Sequence, residues 1–205
     1  MTTVKTNEET LTRKKMLDAL EELLLTKNIE EIAVQDITEK ADVGKGSFYR
    51  YFSSPYEAQQ ILICKKEAVC WKKMLQYYSC ISTGTFSQKI MRMAINLTAY
   101  VNSSIYFQKI VGENASWYEY FSEADSSDPD SREFIEDLNT YAEAAGISQE
   151  QAKMNLHLLL TNTARYVSKA INNHYPLTFE ETRAFVRKTS GQLFPEKSPG
   201  KTLRS

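Results

Sequence analysis

An all-α chain is expected from three observations. Apolar residues recur at three- and four-residue spacing through most of the length, and no segment alternates with the period of two that a strand needs. Four helix starts carry a hydroxyl residue with Glu or Gln three positions on: Ser54-x-x-Glu57, Thr85-x-x-Gln88, Ser148-x-x-Gln151 and Thr178-x-x-Glu181. Finally, 205 residues with 42% hydrophobic content can bury one good core or a small head plus a larger body. Two units are the better fit: a head over 1–54, a body over 55–195, and a disordered tail over 196–205.

The head carries the most specific signal. Val34, Ile37 and Ala41 form a small apolar face at helical spacing, with Gln35, Asp36, Glu39 and Lys40 turned away from it. After a tight turn, a second short helix places Phe48 and Phe52 inward. It exposes Lys45, Gly46, Ser47, Tyr49, Arg50 and Tyr51, a mixture of charge, donors and flat rings suited to phosphates and base edges. Two short helices around a turn read as a helix-turn-helix, which points to double-stranded DNA as a partner.

Over residues 16 to 52 the chain resembles the tetracycline-repressor (TetR) family of bacterial transcriptional regulators. The resemblance is carried by Met16-Leu17-Asp18-Ala19, Leu23-Leu24, Asp36-Ile37 and Phe48-Tyr49-Arg50-Tyr51-Phe52, without a gap. It implies a three-helix head, a helical ligand-binding and dimerisation body, and a homodimer on a palindromic operator, released by a small molecule. It also implies that Gln35, Lys45, Gly46, Ser47, Tyr49, Arg50 and Tyr51 meet the DNA.

Departures from the family pattern have physical readings. Asn28 and Asp42 stand where the family tends to have glycine, and both residue types tolerate the left-handed backbone expected there. Gly44 replaces a serine N-cap, at a cost of a few tenths of a kcal/mol. Pro55 replaces a lysine that touches a phosphate, so Ser53, Ser54, Tyr56 or backbone amides must serve that phosphate if anything does.

The body continues as helices over 55 to about 79, 85 to about 102, one or two shorter pieces over 105 to 121, 131 to 145 ended by Gly146, 148 to about 173, and from Thr178 to near Pro195. A polar loop is expected over 122 to 130.

Charge is patterned beneath a formal total of −1. Residues 1 to 60 hold eight Lys or Arg against eleven Asp or Glu, so the head is formally −3. Counterion release therefore favours DNA only where Lys5, Arg13, Lys14, Lys15, Lys45 and Arg50 converge; residues 44 to 52 hold two cations and no acid. No secretory segment or membrane-spanning apolar run occurs, so a cytoplasmic protein with no membrane partner is expected. Cys64, Cys70 and Cys80 lack metal or CxxC spacing and read as core thiols; no metal or cofactor is expected.

Two further groups are candidates. Apolar residues occupy more than one face between Met154 and Ile171, and Phe179, Phe185 and Val186 repeat the theme in the last helix. Met154, Leu156, Leu160, Val167 and Phe185 are therefore candidates for a dimer interface, the alternative being a monomer core. Trp71, Tyr100, Phe107, Glu113, Trp117, Tyr118 and Phe121 are candidates for a small-molecule pocket. Between Glu113 and Glu150 eleven carboxylates face Arg132 alone, a composition that favours an apolar cation. Core rings and a solvated acidic surface are the alternative.

An enzyme has little support. There is no HExxH, P-loop, dinucleotide fingerprint or Gly-x-Ser-x-Gly elbow, and His157 and His174 are the only histidines. An all-helical small-molecule carrier or protein-interaction module without specific DNA binding is the alternative function.

Overall fold

A computed structural model describes residues 2–111, 128–172 and 176–196, with side chains from residue 11 onward. All its regular structure is helical. The head is α1 (Thr2–Leu24), a 3-10 turn (Ile29–Glu31), α2 (Val34–Lys40) and α3 (Lys45–Tyr51). The body is α4 (Pro55–Ser79), α5 (Phe86–Ser103), a π turn (Phe107–Val111), α6 (Pro129–Ala145), α7 (Gln149–Ile171) and α8 (Phe179–Leu193).

The expected punctuation operates in the body. Ser54, Thr85, Ser148 and Thr178 each accept a hydrogen bond from the backbone N–H three residues on, at 3.1–3.3 Å. Gly146 ends α6 in the left-handed region at φ 66°, as a C-terminal glycine does. Helix α6 begins at Pro129, two residues earlier than expected, because Pro suits the first helical position; Asp128 just before it accepts from the Ser131 hydroxyl at 2.9 Å.

Of the two positions expected to be left-handed, one is. Asp42, in the turn between α2 and α3, has φ 53°. Asn28 has φ −77° and extended backbone, which corrects the expectation for it. Its N–H donates to the Glu31 carboxylate at 2.8 Å, so it starts the 3-10 turn instead of ending α1.

Met16, Leu17, Leu20 and Leu24 of α1 bury one stripe against Ile37, Phe48 and Phe52. The same core runs on through Leu62, Cys70, Trp71 and Met74 of α4 into the body, where α5, α7 and α8 pack on one another and α6 covers α4 and α7. Helix α4, about 37 Å long at 1.5 Å per residue, carries head and body on one rod. Among the cysteines only Cys70 is a core thiol. Cys64 and Cys80 are exposed, correcting that expectation, since both fall on the solvent side of their helical stretch. No described helix is long and apolar enough to cross a membrane.

Candidate nucleic-acid interface

Helix α3 is fixed from below and open above. Gly44 enters it in extended conformation, and its carbonyl accepts from the Ser47 N–H at 2.8 Å. Phe48 and Phe52 are buried and touch each other with ring centroids 5.3 Å apart. Lys45, Gly46, Tyr49 and Arg50, at i, i+1, i+4 and i+5, are exposed on the opposite side. Tyr49 is 57% exposed and stands edge-on against Phe48. Ser47 and Tyr51 are half-buried, and Tyr51 leans on Phe52 at 6.3 Å, so these two border the exposed face instead of standing on it. A Cβ at Gly46 would meet nothing within 4 Å, so the protein's own packing does not demand glycine there.

Charge in the head is sorted by pairing. Lys40 bridges to Glu22 at 2.7 Å, Lys27 to Asp36 at 3.8 Å and Lys66 to Glu21 at 2.5 Å. Among the described residues Lys45 and Arg50 hold no ion pair, so the cations of α3 are left for another partner although the head is acidic in total. Gln35 lies exposed on α2 with its amide donating to Glu39 at 2.6 Å, so it exchanges an internal bond for any contact with DNA.

The α3–α4 junction differs from the expected phosphate clamp. Ser54 caps α4, while the Glu57 carboxylate reaches back to Ser53, accepting from its N–H and its hydroxyl, both at 2.6 Å. The Ser53 hydroxyl, then its N–H, hold the Glu57 carboxyl below the usual carboxylate range. An anion thus already sits at the start of α4, and Ser53 and Ser54 are committed; Tyr56 remains exposed. Arg13 of α1 lies over the Phe52 ring, 5.8 Å from its centroid, beside this junction.

In the body the described pocket candidates divide. Tyr100 and Phe107 meet edge-on at 5.4 Å, and Trp71 meets Phe134 edge-on at 5.4 Å. Phe107 and Trp71 are buried, Tyr100 half-buried. Burial, with Cys70 nearby, raises the Tyr100 hydroxyl's pKa, so it stays protonated at neutral pH. Glu113, Trp117, Tyr118 and Phe121 lie outside the described residues. The acid excess is partly answered by a lysine from a distant segment, which no sequence pattern marks. Lys89 of α5 pairs with Asp137 at 3.3 Å and Glu133 at 3.9 Å, and Tyr78 donates to Asp137 at 2.6 Å. Lys73 lies 5.1 Å over the Tyr100 ring. A separate cleft of about 160 Å³ opens at the start of α5 beside Phe86, Tyr141 and Ala145, which sequence reasoning missed because its lining comes from three distant segments.

The candidate interface residues also divide. Leu156, Leu160 and Val167 are fully buried within the single chain, which removes them from any surface; at helical spacing they form the inward stripe of α7. Met154, Leu158 and Phe185 are each 42% exposed. Tyr166 and Phe185 meet at 5.9 Å across α7 and α8 beside them. His157, between Met154 and Leu158, lies 3.4 Å from the Thr161 hydroxyl, and burial lowers its pKa.

Residues 16–55 match the family model described as bacterial regulatory proteins, tetR family. No curated protein sequence matches the chain. Among solved structures, a TetR transcriptional regulator from Rhodococcus sp. RHA1 is 19% identical, with 93% of this chain and 100% of that one covered at a TM-score of 0.52. A TetR-family regulator from Streptomyces coelicolor is 15% identical, with 89% and 99% covered at 0.59. RolR in complex with resorcinol is 14% identical, with 94% and 99% covered at 0.50. These likenesses give the whole-chain fold, and the head gives the sequence signature. Over residues 16–55 the chain is therefore similar to bacterial regulatory proteins of the tetR family, and over most of its length it shares the helical fold of solved TetR regulators.

Proposed function

We propose that the protein is a homodimeric repressor that binds a palindromic operator through two copies of residues 34–52 and leaves it when a small molecule enters the body. The observation that carries the DNA side is α3 itself: an acid-free face of Lys45, Gly46, Tyr49 and Arg50 on a helix anchored by Phe48 and Phe52. Lys45 and Arg50 reach phosphate or guanine, Tyr49 and Tyr51 meet phosphate, sugar or thymine methyls, and Gln35 touches the backbone from α2.

Dimerisation runs through Met154, Leu158 and Phe185, the exposed apolar residues of α7 and α8. It sets two recognition helices about 34–36 Å apart, or a multiple of that repeat. A ligand that shifts α4 by a few ångströms spoils this fit, and it needs only a different affinity for the two spacings.

The effector is a small apolar molecule held between rings such as Trp71, Tyr100 and Phe107. Among the described residues Lys89 already answers Asp137 and Glu133, and Lys73 covers Tyr100. The cationic class therefore rests on Glu113 and the acids that follow it. Matched cationic and neutral dyes, titrated against tryptophan fluorescence in the wild type and in Trp71→Phe, test it. Tighter binding of the cation by roughly thirtyfold supports a desolvated ring–cation contact of about 2 kcal/mol; equal binding removes it. A carrier without DNA function would show no salt-sensitive preference for any duplex.

A further inference from the structure

After α8 the chain leaves the body at one fixed place. Phe194 is buried, its ring centroid 5.9 Å from that of Phe86 and 5.5 Å from that of Tyr141. The Pro195 carbonyl accepts from the hydroxyls of Ser87 and Tyr141, each at 3.4 Å, and the Glu196 carboxylate accepts from the Thr85 hydroxyl at 3.3 Å. Glu196 thus sits at the start of α5, where a helix favours an anion. It also lines the cleft of about 160 Å³ formed with Phe86, Tyr141, Ala144 and Ala145. Everything after residue 196 is therefore delivered to the mouth of this cleft.

The cleft is apolar within and acidic around. Its walls are ring and methyl surface, and a cavity of about 150 Å³ holds a benzene-sized group, so one apolar side chain fits. Asp130, Glu133 and Asp137 precede Tyr141 on the same face of α6 at helical spacing. With Glu196 they make four carboxylates, against which Lys89 sets one charge by pairing with Asp137 and Glu133, leaving a formal −3.

Residues 197–205 lie outside the described residues, and their sequence is the complement of this surface. They hold Lys197, Lys201 and Arg204 with no acid, a formal +3, and one large aliphatic side chain, Leu203. So polar a stretch has no core of its own, and any order it takes must come from a surface already built. Ser198-Pro199-Gly200-Lys201 is a turn sequence, with Pro and Gly at the second and third positions. Reversal there returns residue 203 opposite residue 196, beside the cleft. Nine residues extend about 30 Å at most, against about 26 Å for the 17 residues of α6, which leaves slack for the turn while the cations stay near Asp137 and Glu133.

We propose that residues 197–205 dock on their own body, with Leu203 in the cleft and Lys201 and Arg204 beside Asp137 and Glu133. The docked segment straps the start of α5 to the end of α6 and closes the cleft to other apolar groups.

Paramagnetic broadening on the full-length protein tests this. Cys64 and Cys80 are the exposed thiols. With both changed to serine, a nitroxide on Ser205→Cys marks the tail alone. The backbone amides of residues 85–87 and 141–146 should then lose their signals, while those of α3, at the other end of α4, keep theirs. Leu203→Ser should restore the lost signals, and so should Lys201→Glu combined with Arg204→Glu. No selective loss at these two segments, or a loss undiminished by Leu203→Ser, overturns the proposal. Loss on an isotope-labelled chain without nitroxide, mixed with nitroxide-bearing chains, also overturns it, because the tail would then dock on a second copy.

Discussion

Tyr49 stands edge-on against the buried Phe48, with ring centroids 5.6 Å apart and planes at 87°. Phe48 is inaccessible, so the exposed ring is held at a defined angle by the core and not by other surface side chains. Two variants separate its ring from its hydroxyl. If the phenol donates to a phosphate, Tyr49→Phe should weaken operator binding by about 0.5–1.5 kcal/mol, as one hydrogen bond would. Tyr49→Ala should lose more. Equal affinity of Tyr49→Phe and wild type in a duplex titration would assign the contact to the ring alone.

Lys45→Ala should weaken binding to every duplex and lower the log–log salt slope by about 0.9, one phosphate's worth. An unchanged slope with relaxed preference at one base pair would make Lys45 a base reader.

Leu158→Arg should leave the protomer folded and weaken the dimer by at least about 3 kcal/mol, because the charge would be buried only on association. Leu160→Arg should unfold the chain, since that side chain is fully inside one protomer. Sedimentation alongside circular dichroism distinguishes the two. A folded, monodisperse wild-type monomer at micromolar concentration would remove the interface.

The pKa of His157 is lowered by burial from an ordinary value of 6.5, so folding disfavours its protonation. The sign follows: no penalty above that value, and a growing one as pH falls from 6.5 toward the lower folded value. Melting temperature should therefore drop over this range more in the wild type than in His157→Gln. Parallel profiles would contradict it.

Asp42 holds φ 53° in the turn of the motif. Asp42→Val should lower the melting temperature by about 2–8 °C, the cost of a β-branched residue in left-handed backbone, while Asp42→Gly should stay near the wild type.

How much was legible in the sequence depended on whether the signal was local. The capping residues Thr85, Ser148 and Thr178 marked helix starts correctly because a cap is satisfied within four residues. Asp42 was legible for the same reason, and Asn28 was not, because the Glu31 carboxylate competes for its N–H. The α3 face followed from helical spacing, except that Ser47 and Tyr51 are half-buried at its border, Tyr51 leaning onto Phe52. Periodicity showed that α7 is apolar on two sides and could not say which side is inward, so the exposed Met154 and the buried Leu160 were grouped together. Lys89 with Asp137, and Lys109 with Leu25, join distant segments, and no pattern in the sequence marks such pairs.

Selection of duplexes by this protein from a random pool tests the central claim most directly. The account predicts enrichment of a two-fold symmetric site, with half-sites one helical turn or a multiple apart, lost when Lys45 and Tyr49 are both replaced by alanine. Enrichment of no sequence, or of an asymmetric site equally bound by that double variant, would contradict it.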